Sequence, residues 1–316
     1  MTPPEAFLSR KVLQFLAIAE AGSIHRAAEL LGLSQPALTV SLRNLEHDLN
    51  VTLLERSVKG VTLTPAGRLL HRHAVVLRTA SRQALEDLTS LQTGKSGTLR
   101  IGAGVAWSAT VLPQVLSDMR RDYPDLSIDL IAGVGDQLSA KFDEGHIDLL
   151  LVAGGLAGHA FVDARREWLV TLPMKLVVAQ DHPLVGQGPV SIPQVLDYDW
   201  VGFYDDDTFM QLAALLTARH GKAPPQMAMR ANSVAALSTF VRGSDAVMVV
   251  ISTLAAAMRD ENLVTLPLNE PLWDMPVSLC CREMVARRPM TQDFTSRLRR
   301  AIIAVTEGRR DPSSSD

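Results

Sequence analysis

Few residues in this chain stand at spacings that support catalysis. Gly102-Ala103-Gly104 follows an apolar, strand-like run, as in a dinucleotide-binding turn, but position 107 is Trp where that fingerprint needs another glycine. Asp205-Asp206-Asp207 offers three carboxylates, yet consecutive residues point in different directions, and an acidic entry into a helix explains them without a metal. His146, His159, His182 and His220 show no ligand spacing, and no GxSxG, HExxH or P-loop motif occurs. Cys280 and Cys281 are adjacent in an apolar strand-like run, so their side chains face opposite ways and neither a disulfide nor a metal clip is expected. No catalytic residue, no metal and no cofactor is expected, and the chain does not read as an enzyme. A chemistry of cations and hydrogen bonds remains. Arg56, Lys59, Arg68, Arg72, Arg78 and Arg82 meet no acidic residue between positions 56 and 85, and His71 and His73 add donors. Such a window is either a solvated helix face or a surface that meets phosphates.

The whole-chain averages conceal this window. The 316 residues carry 31 Lys+Arg against 34 Asp+Glu, a net charge of −3 that by itself argues against a nucleic-acid partner. Residues 1–97 hold 11 basic and 8 acidic side chains, a balance of +3, whereas residues 98–316 hold 20 and 26, a balance of −6. With 47% hydrophobic and 5% aromatic residues the composition is that of a globular protein, and the length favours two domains. No apolar run reaches the 18 residues of a membrane span. The start, MTPPEAFLSRKV, has no signal-peptide core, so a cytoplasmic location is expected and no membrane partner.

The elements that position the basic window are short helices with clear punctuation. Apolar residues recur at helical spacing from Val12 to Ala21, and Gly22 ends that helix. Ser23 is placed to cap a short helix, Ile24–Leu31, whose Ala27 and Ala28 allow close packing; Gly32 ends it. Ser34 caps a third helix reaching about Leu49, with Pro36 in its first turn and Ala37, Leu38, Leu42, Leu45 and Leu49 on its inner side. Two short helices joined by a glycine-containing turn form the unit that offers its second helix to a DNA major groove. Val51–Leu54 and Val61–Leu63 read as a two-stranded wing around Gly60. Thr64-Pro65-Ala66-Gly67 opens a helix to about Gln92 with an apolar seam at positions 70, 74, 77, 81, 84, 88 and 91. A small winged domain is too short to cover such a helix, so Leu70, Leu77, Ala84, Leu88 and Leu91 are expected to pair with a second copy.

The stretch AGSIHRAAELLGLSQPALTVSLRNLEHDLNVTLLERSVKGVTLTPAGRLL resembles the DNA-binding signature of LysR-type transcriptional regulators. The resemblance is carried by Gly22-Ser23, Ala27-Ala28, Leu30, Leu33-Ser34-Gln35, Leu45-Glu46, Leu53-Leu54, Glu55-Arg56 and Leu63-Thr64-Pro65-Ala66-Gly67, and the layout of the remaining chain agrees with it. Leu54 stands where a Phe is common, Asn50 where a Gly is common, and Val40 where many members carry a polar residue. An apolar Val40 shifts that position from hydrogen-bonded base readout towards contact with a thymine methyl. Gln35 and Thr39 lie where side chains meet base edges, with Pro36 and Ala37 offering apolar contact beside them. Ser34 caps its helix, whose N-terminus can also receive a phosphate, and for Ser23 and Ser34 pure capping is the other reading, compatible with a phosphate contact; Ser41 and Arg43 lie further along, Arg43 towards the backbone. Ser23 and Arg26 are expected to meet phosphate from the second helix, and Arg56 and Lys59 from the wing. Glu46 is a structural partner within the domain, because a carboxylate repels phosphate.

Beyond a Gly-rich hinge, residues 93–97, strand-like runs alternate with helical patterns: LRIGA, LSIDLIA, IDLLLVA, MKLVVA, WVGFY, MAMRA and AVMVVIS, with helices over 109–122, 136–145, 208–220, 233–242 and 253–259. Alternation of this kind predicts parallel sheets with crossover helices. The resemblance implies a two-lobed effector portion similar to periplasmic binding proteins, with lobe I at 98–168 and 267–306 and lobe II at 169–266. The expected fold is thus an all-α winged helix-turn-helix (1–64), a dimerising linker helix (65–92), the α/β effector portion (98–306) and a disordered tail (307–316). Ligands in open α/β sheets sit beyond the carboxyl ends of strands. Those positions are Val105, Ala106, Trp107 and Ser108; Gly133, Val134 and Gly135; Phe203 and Tyr204; Asn232 and Ser233; and Ile251 and Ser252. Ser108 either binds the effector or caps its helix.

The function implied is a ligand-responsive, sequence-specific regulator, either activator or repressor. It binds double-stranded DNA at an imperfect palindrome as a homodimer or homotetramer, answers to a small-molecule co-inducer, and contacts RNA polymerase if it activates. A stand-alone binding protein of the periplasmic type is the other reading, but it has no use for the first ninety residues.

Overall fold

The computed structural model describes residues 9–57, 60–93, 97–154, 161, 163–204 and 206–307. The hinge positions 94–96, Lys59 and the tail from 308 onwards lie outside the described residues. The chain divides into two compact units, the first built mainly from residues up to Gly94, the second from most of the remainder.

In the first unit α1 (Arg10–Ala21), α2 (Ile24–Leu31) and α3 (Gln35–Leu49) follow the punctuation read in the sequence. Gly22 and Gly32 end α1 and α2 at φ 63°, a left-handed conformation costly for other residues. Asn50 closes α3 at φ 53°, which explains why Asn serves where Gly is common. The core gathers Phe15, Leu16, Ile18, Ala27, Ala28, Leu38, Leu42, Leu45 and Leu53. Strands β1 (Leu54–Ser57) and β2 (Gly60–Leu63) pair antiparallel, Leu54 opposite Leu63, so the unit is not all-α. The first strand starts at Leu54 rather than spanning Val51–Leu54, because the preceding backbone is already hydrogen-bonded elsewhere. Glu46 Oε1 accepts the N–H groups of Leu53 (2.8 Å) and Leu54 (3.3 Å), and the Thr64 hydroxyl donates to Thr52 O (2.7 Å). Glu46 therefore has the structural role expected of it. The long helix α4 (Pro65–Thr93) begins tight against this loop: a Cβ on Gly67 would lie 2.0 Å from Leu53 O.

The start of the expected dimer seam needs correction. Leu70 is buried with Ala74 and Val75 in the core of its own unit, since the face of α4 at positions 66, 70 and 74 closes that core. From Leu77, half-buried, the seam emerges, and Ala84 and Leu88 are exposed; the side chain of Leu91 lies outside the described residues.

The second unit is a mixed sheet rather than a set of parallel ones. Its strands are β3 (Thr98–Gly104), β4 (Ser127–Gly133), β5 (Leu149–Ala153), β6 (Ala164–Ala179), β7 (Trp200–Gly202), β8 (Met227–Arg230), β9 (Val247–Ile251), β10 (Leu263–Thr265) and β11 (Asp274–Arg282). They run in the order β4-β3-β5-β11-β6-β9-β7-β8, with β10 on β6. The triplets β4-β3-β5 and β8-β7-β9 are parallel, as the alternation predicts. Between them β11 and β6 run antiparallel to each other and to their neighbours, so two long strands, not helices, join the halves. Strand β6 crosses the expected lobe boundary at 168/169 without interruption.

Helices α5 (Val105–Ala109), α6 (Leu112–Asp122), α7 (Gly135–Asp143), α8 (Ile192–Val195), α9 (Asp207–Arg219), α10 (Val234–Arg242), α11 (Ser252–Ala257), α12 (Glu283–Ala286) and α13 (Pro289–Glu307) cover the sheet. Leu112, Val115, Met119, Phe294 and Leu298 share one core with the strands. Cys280 and Cys281 are both unbonded and buried, and burial pushes their thiols up to about 11 and about 12, which keeps them protonated and unreactive.

Buried His182 ties β6 to the end of α10 in its neutral form. Nδ1 accepts the Leu184 N–H at 3.1 Å, so the proton sits on Nε2, which donates to Asp245 O at 3.1 Å, and the ring lies 4.5 Å from that of Tyr198. Burial lowers its pKa, and the Asp245 carbonyl opposes this only in part. Because the folded value is depressed, the stability is present above the unfolded value of about 6.5 and is lost as pH falls through the folded one. The urea midpoint of the second unit is expected to fall between about pH 7.5 and pH 5, and His182→Gln is expected to shrink that dependence.

Candidate functional site

The first candidate surface is the outer face of α3. Leu38, Leu42 and Leu45 turn inward at alternating spacings of four and three, which leaves Pro36, Val40 and Arg43 exposed on the opposite face; Gln35 and Ala37 are exposed in the first turn, so Ala37 is not on the inner side expected of it. Val40 is 54% exposed, an apolar side chain presented to solvent in the middle of that face. Ser34 Oγ accepts the Ala37 N–H (3.3 Å) and Ser23 Oγ accepts the Arg26 N–H (3.4 Å), so both serines cap, as one of their two readings required. Capping uses one lone pair and leaves each hydroxyl proton free to donate. Thr39 is half-buried. Ser41 is turned inward, its hydroxyl donating to Gln14 on α1. The exposed Arg26 adds a cation on the neighbouring helix. The backbone of Arg56 lies in β1, while its side chain, like Lys59, falls outside the described residues.

The acid-free window divides into structural and exposed members. Arg68 donates to Leu63 O at 2.8 Å and Arg78 pairs with Glu20 at 2.7 Å, so both are held within the unit. Arg72 and His73 stay on the exposed side of α4.

The second candidate is a cleft in the second unit. The parallel strands β3, β4, β7 and β9 end at Gly104, Gly133, Gly202 and Ile251, and their carboxyl ends converge on it. The glycines, with Ala106, Gly135 and Ala153, leave space where larger side chains would meet. Met174 on β6 and Met275 on β11 cross the cleft, and Phe203, Phe209 and Leu254 line it. It encloses about 90 Å³.

Of the positions expected at the strand ends, Val105, Ala106, Trp107, Gly133, Val134, Gly135, Phe203 and Ile251 line this cleft. Ser108 does not; its hydroxyl donates to Val105 O at 2.8 Å, within its own helix. Tyr204 and Asn232 point to solvent, Ser233 caps α10 through the Ala236 N–H (3.3 Å), and Ser252 opens α11 away from the lining. Sequence reasoning missed Met174, Met275, Asp206 and Phe209. Asp206 is legible as an N-cap, accepting the Phe209 N–H at 3.0 Å; the two methionines are placed by antiparallel strand pairing, for which no local signal exists. Asp205 and His159 lie outside the described residues, and no cluster of metal-binding side chains occurs among the described ones.

Residues 10–68 match the family model described as bacterial regulatory helix-turn-helix protein, lysR family, and residues 92–302 match the LysR substrate binding domain. The chain belongs to the LysR family. It is similar to the HTH-type transcriptional regulator GbpR of Azospirillum brasilense, 30% identical over 93% of this chain and 88% of that protein. Among solved structures it shares the fold of ArgP from Mycobacterium tuberculosis, at 18% identity and a TM-score of 0.65 over 93% of this chain and 96% of that one. It also shares the fold of full-length CbnR complexed with its target DNA, at 21% identity and a TM-score of 0.56 over 92% and 99%. This LysR-family chain is a ligand-responsive DNA-binding transcriptional regulator, with its helix-turn-helix in the first unit and its substrate-binding domain in the second. No described helix is long and apolar enough to cross a membrane.

Proposed function

We propose that this regulator reads its target with the outer face of α3 and answers to a small metabolite held in the cleft between the two halves of its sheet. The observation that carries the reading is the α3 face. A capped helix exposes Gln35 at its entry, and Val40 and Arg43 along the side opposite its buried leucines. Gln35 at the helix entry is suited to a bidentate pair with adenine, Val40 to a thymine methyl, and Arg43, Arg26, Arg56 and Lys59 to phosphates. The seam of α4, half-buried at Leu77 and exposed at Ala84 and Leu88, supports a dimer, whose two copies of α3 match an imperfect palindrome; a tetramer extends the same logic. The metabolite acts by favouring one arrangement of the two halves joined by β6 and β11, and so biases how paired units engage or bend DNA. The binding chemistry at both surfaces needs no cofactor and assigns no catalytic role to any residue. A regulator of this kind works where the chromosome is, in the cytoplasm.

The test separates readout from affinity. Gln35→Ala is expected to cost about 1–3 kcal/mol on the target sequence and almost nothing on random DNA. Arg43→Ala is expected to weaken both equally and to lower the salt slope by about one unit. Fluorescence anisotropy over a salt series measures both. Equal losses on target and random DNA for Gln35→Ala would remove the base-reading role.

A further inference from the structure

We propose that the turn at residues 143–146 couples the sensing unit to the linker helix α4, with Arg282 as the residue that positions the turn. The turn lies between α7 and β5 of the second unit, yet residues 143–146 group with the first unit and their neighbours on both sides with the second. The chain thus passes from the second unit to the first and back within four residues. Its hold on α4 is specific. Arg78 donates to Glu144 O and Arg82 to Gly145 O at 2.7 Å, so two guanidinium groups one helical turn apart take successive carbonyls. Arg78 also pairs with Glu20 at 2.7 Å, which ties the same cation to α1 of the helix-turn-helix. Gly145 sits at φ 73°, and a Cβ there would lie 3.0 Å from both Val75 and Thr79. Only glycine combines that backbone conformation with so close an approach to a helix. Thr79 and Gln83 are buried, although the apolar core of the first unit ends on α4 at Val75.

Arg282, the last residue of β11, fixes the turn from the other side. It is buried, its guanidinium donates to Phe142 O, and the guanidinium carbon stands 4.5 Å from the centre of the Phe142 ring. Its backbone N–H donates to Asp148 O at 3.2 Å. One residue therefore holds the chain just before the turn and just after it. Helix α7 has Gly135 in the cleft lining at its first position and Phe142 near its last, so nine residues, about 14 Å of helix, separate the cleft from the turn. This link to the cleft rests on the reading of the cleft as the effector site; the hold on α4 does not. A rigid helix ending in a turn that is either seated on α4 or lifted from it is a two-state element that both units can bias.

Coupling is reciprocal: if the state of the second unit reaches DNA through this turn, DNA must reach the turn. Hydrogen exchange on the full chain reads this, with a random-sequence DNA duplex as the probe and peptides covering residues 75–86 and 139–150. The duplex is expected to slow exchange in both peptides of the wild-type chain by about threefold or more. Valine fits neither the φ nor the space at position 145. In Gly145→Val, exchange across 75–86 is expected to rise about tenfold, and the duplex, bound with affinity within about twofold of wild type, to leave 139–150 unchanged. Gly145→Ala carries the same test with less strain. Arg282→Gln is expected to raise exchange across 75–86 as well, and Arg282→Lys, which keeps a donor for Phe142 O, to restore part of the protection. Unchanged exchange across 75–86 in both Gly145 variants would overturn the hold on α4. A duplex response across 139–150 that is absent from the wild-type chain, or that persists in Gly145→Val, would overturn the coupling. A rise confined to 139–150 in Arg282→Gln would remove the positioning role of Arg282. No effector enters the measurement, so these results leave the cleft reading to its own test in Gly135→Phe.

Discussion

Leu38→Ala is expected to abolish DNA binding by unfolding the first unit while leaving the second intact. Leu38 is fully buried where α1, α2 and α3 meet, on the inner side of the helix whose outer face reads DNA. Truncating a buried leucine costs about 2–5 kcal/mol, because the cavity closes only in part. A unit of this size buries a modest core and has little stability in reserve. At about 4–8 °C per kcal/mol for a small domain, its melting transition is expected to drop by 10 °C or more. Calorimetry should show one transition displaced and the other unmoved. A joint shift of both transitions would show that the two units fold as one, contrary to the division described here.

Gly135→Phe is expected to abolish the response to effector. Gly135 lines the cleft at the start of α7, and a Cβ built there meets nothing within 4 Å, so the backbone accepts a side chain without strain. A phenyl ring at this point of the lining is expected to compete with a ligand for the cleft, whose space of about 90 Å³ is on the scale of one small ring. A loss of 100-fold or more in ligand affinity is expected, about 3 kcal/mol. The shift in melting temperature on adding ligand measures it. A response kept at full strength would move the effector out of this cleft.

Much of the first unit was legible because its boundaries are set by local chemistry. Ser23 and Ser34 cap, Gly22 and Gly32 supply left-handed turns, and Pro36 sits where no N–H is needed, each within a few residues of the feature it fixes. The wing slipped by three residues because Glu46 and Thr64, distant in sequence, occupy the backbone before β1. The α4 seam misread Leu70 for a similar reason: periodicity shows that a face is apolar but not what covers it.

In the second unit the parallel strands announced themselves as apolar runs, and their glycine ends located most of the cleft. The first half of β6 was missed because it is polar: Arg165 pairs with Glu283 at 2.6 Å and Glu167 with Arg299, so ion pairs replace apolar alternation. With that half unseen, the antiparallel pairing of β6 with β11 that brings Met174 and Met275 to the cleft could not be read. Ser108 shows the converse. Its position after a strand suits a ligand, but its hydroxyl finds a nearer acceptor one turn back.

Labour is divided within one chain: DNA is read by the first unit and the metabolite is sensed by the second. The most direct test of this division removes residues 1–64 and measures two things on the remaining chain, affinity for target DNA and the stabilisation produced by ligand. Loss of DNA binding with ligand stabilisation retained is the predicted result. DNA affinity surviving the cut at its full-length value would contradict the assignment of α3 and, with it, the account.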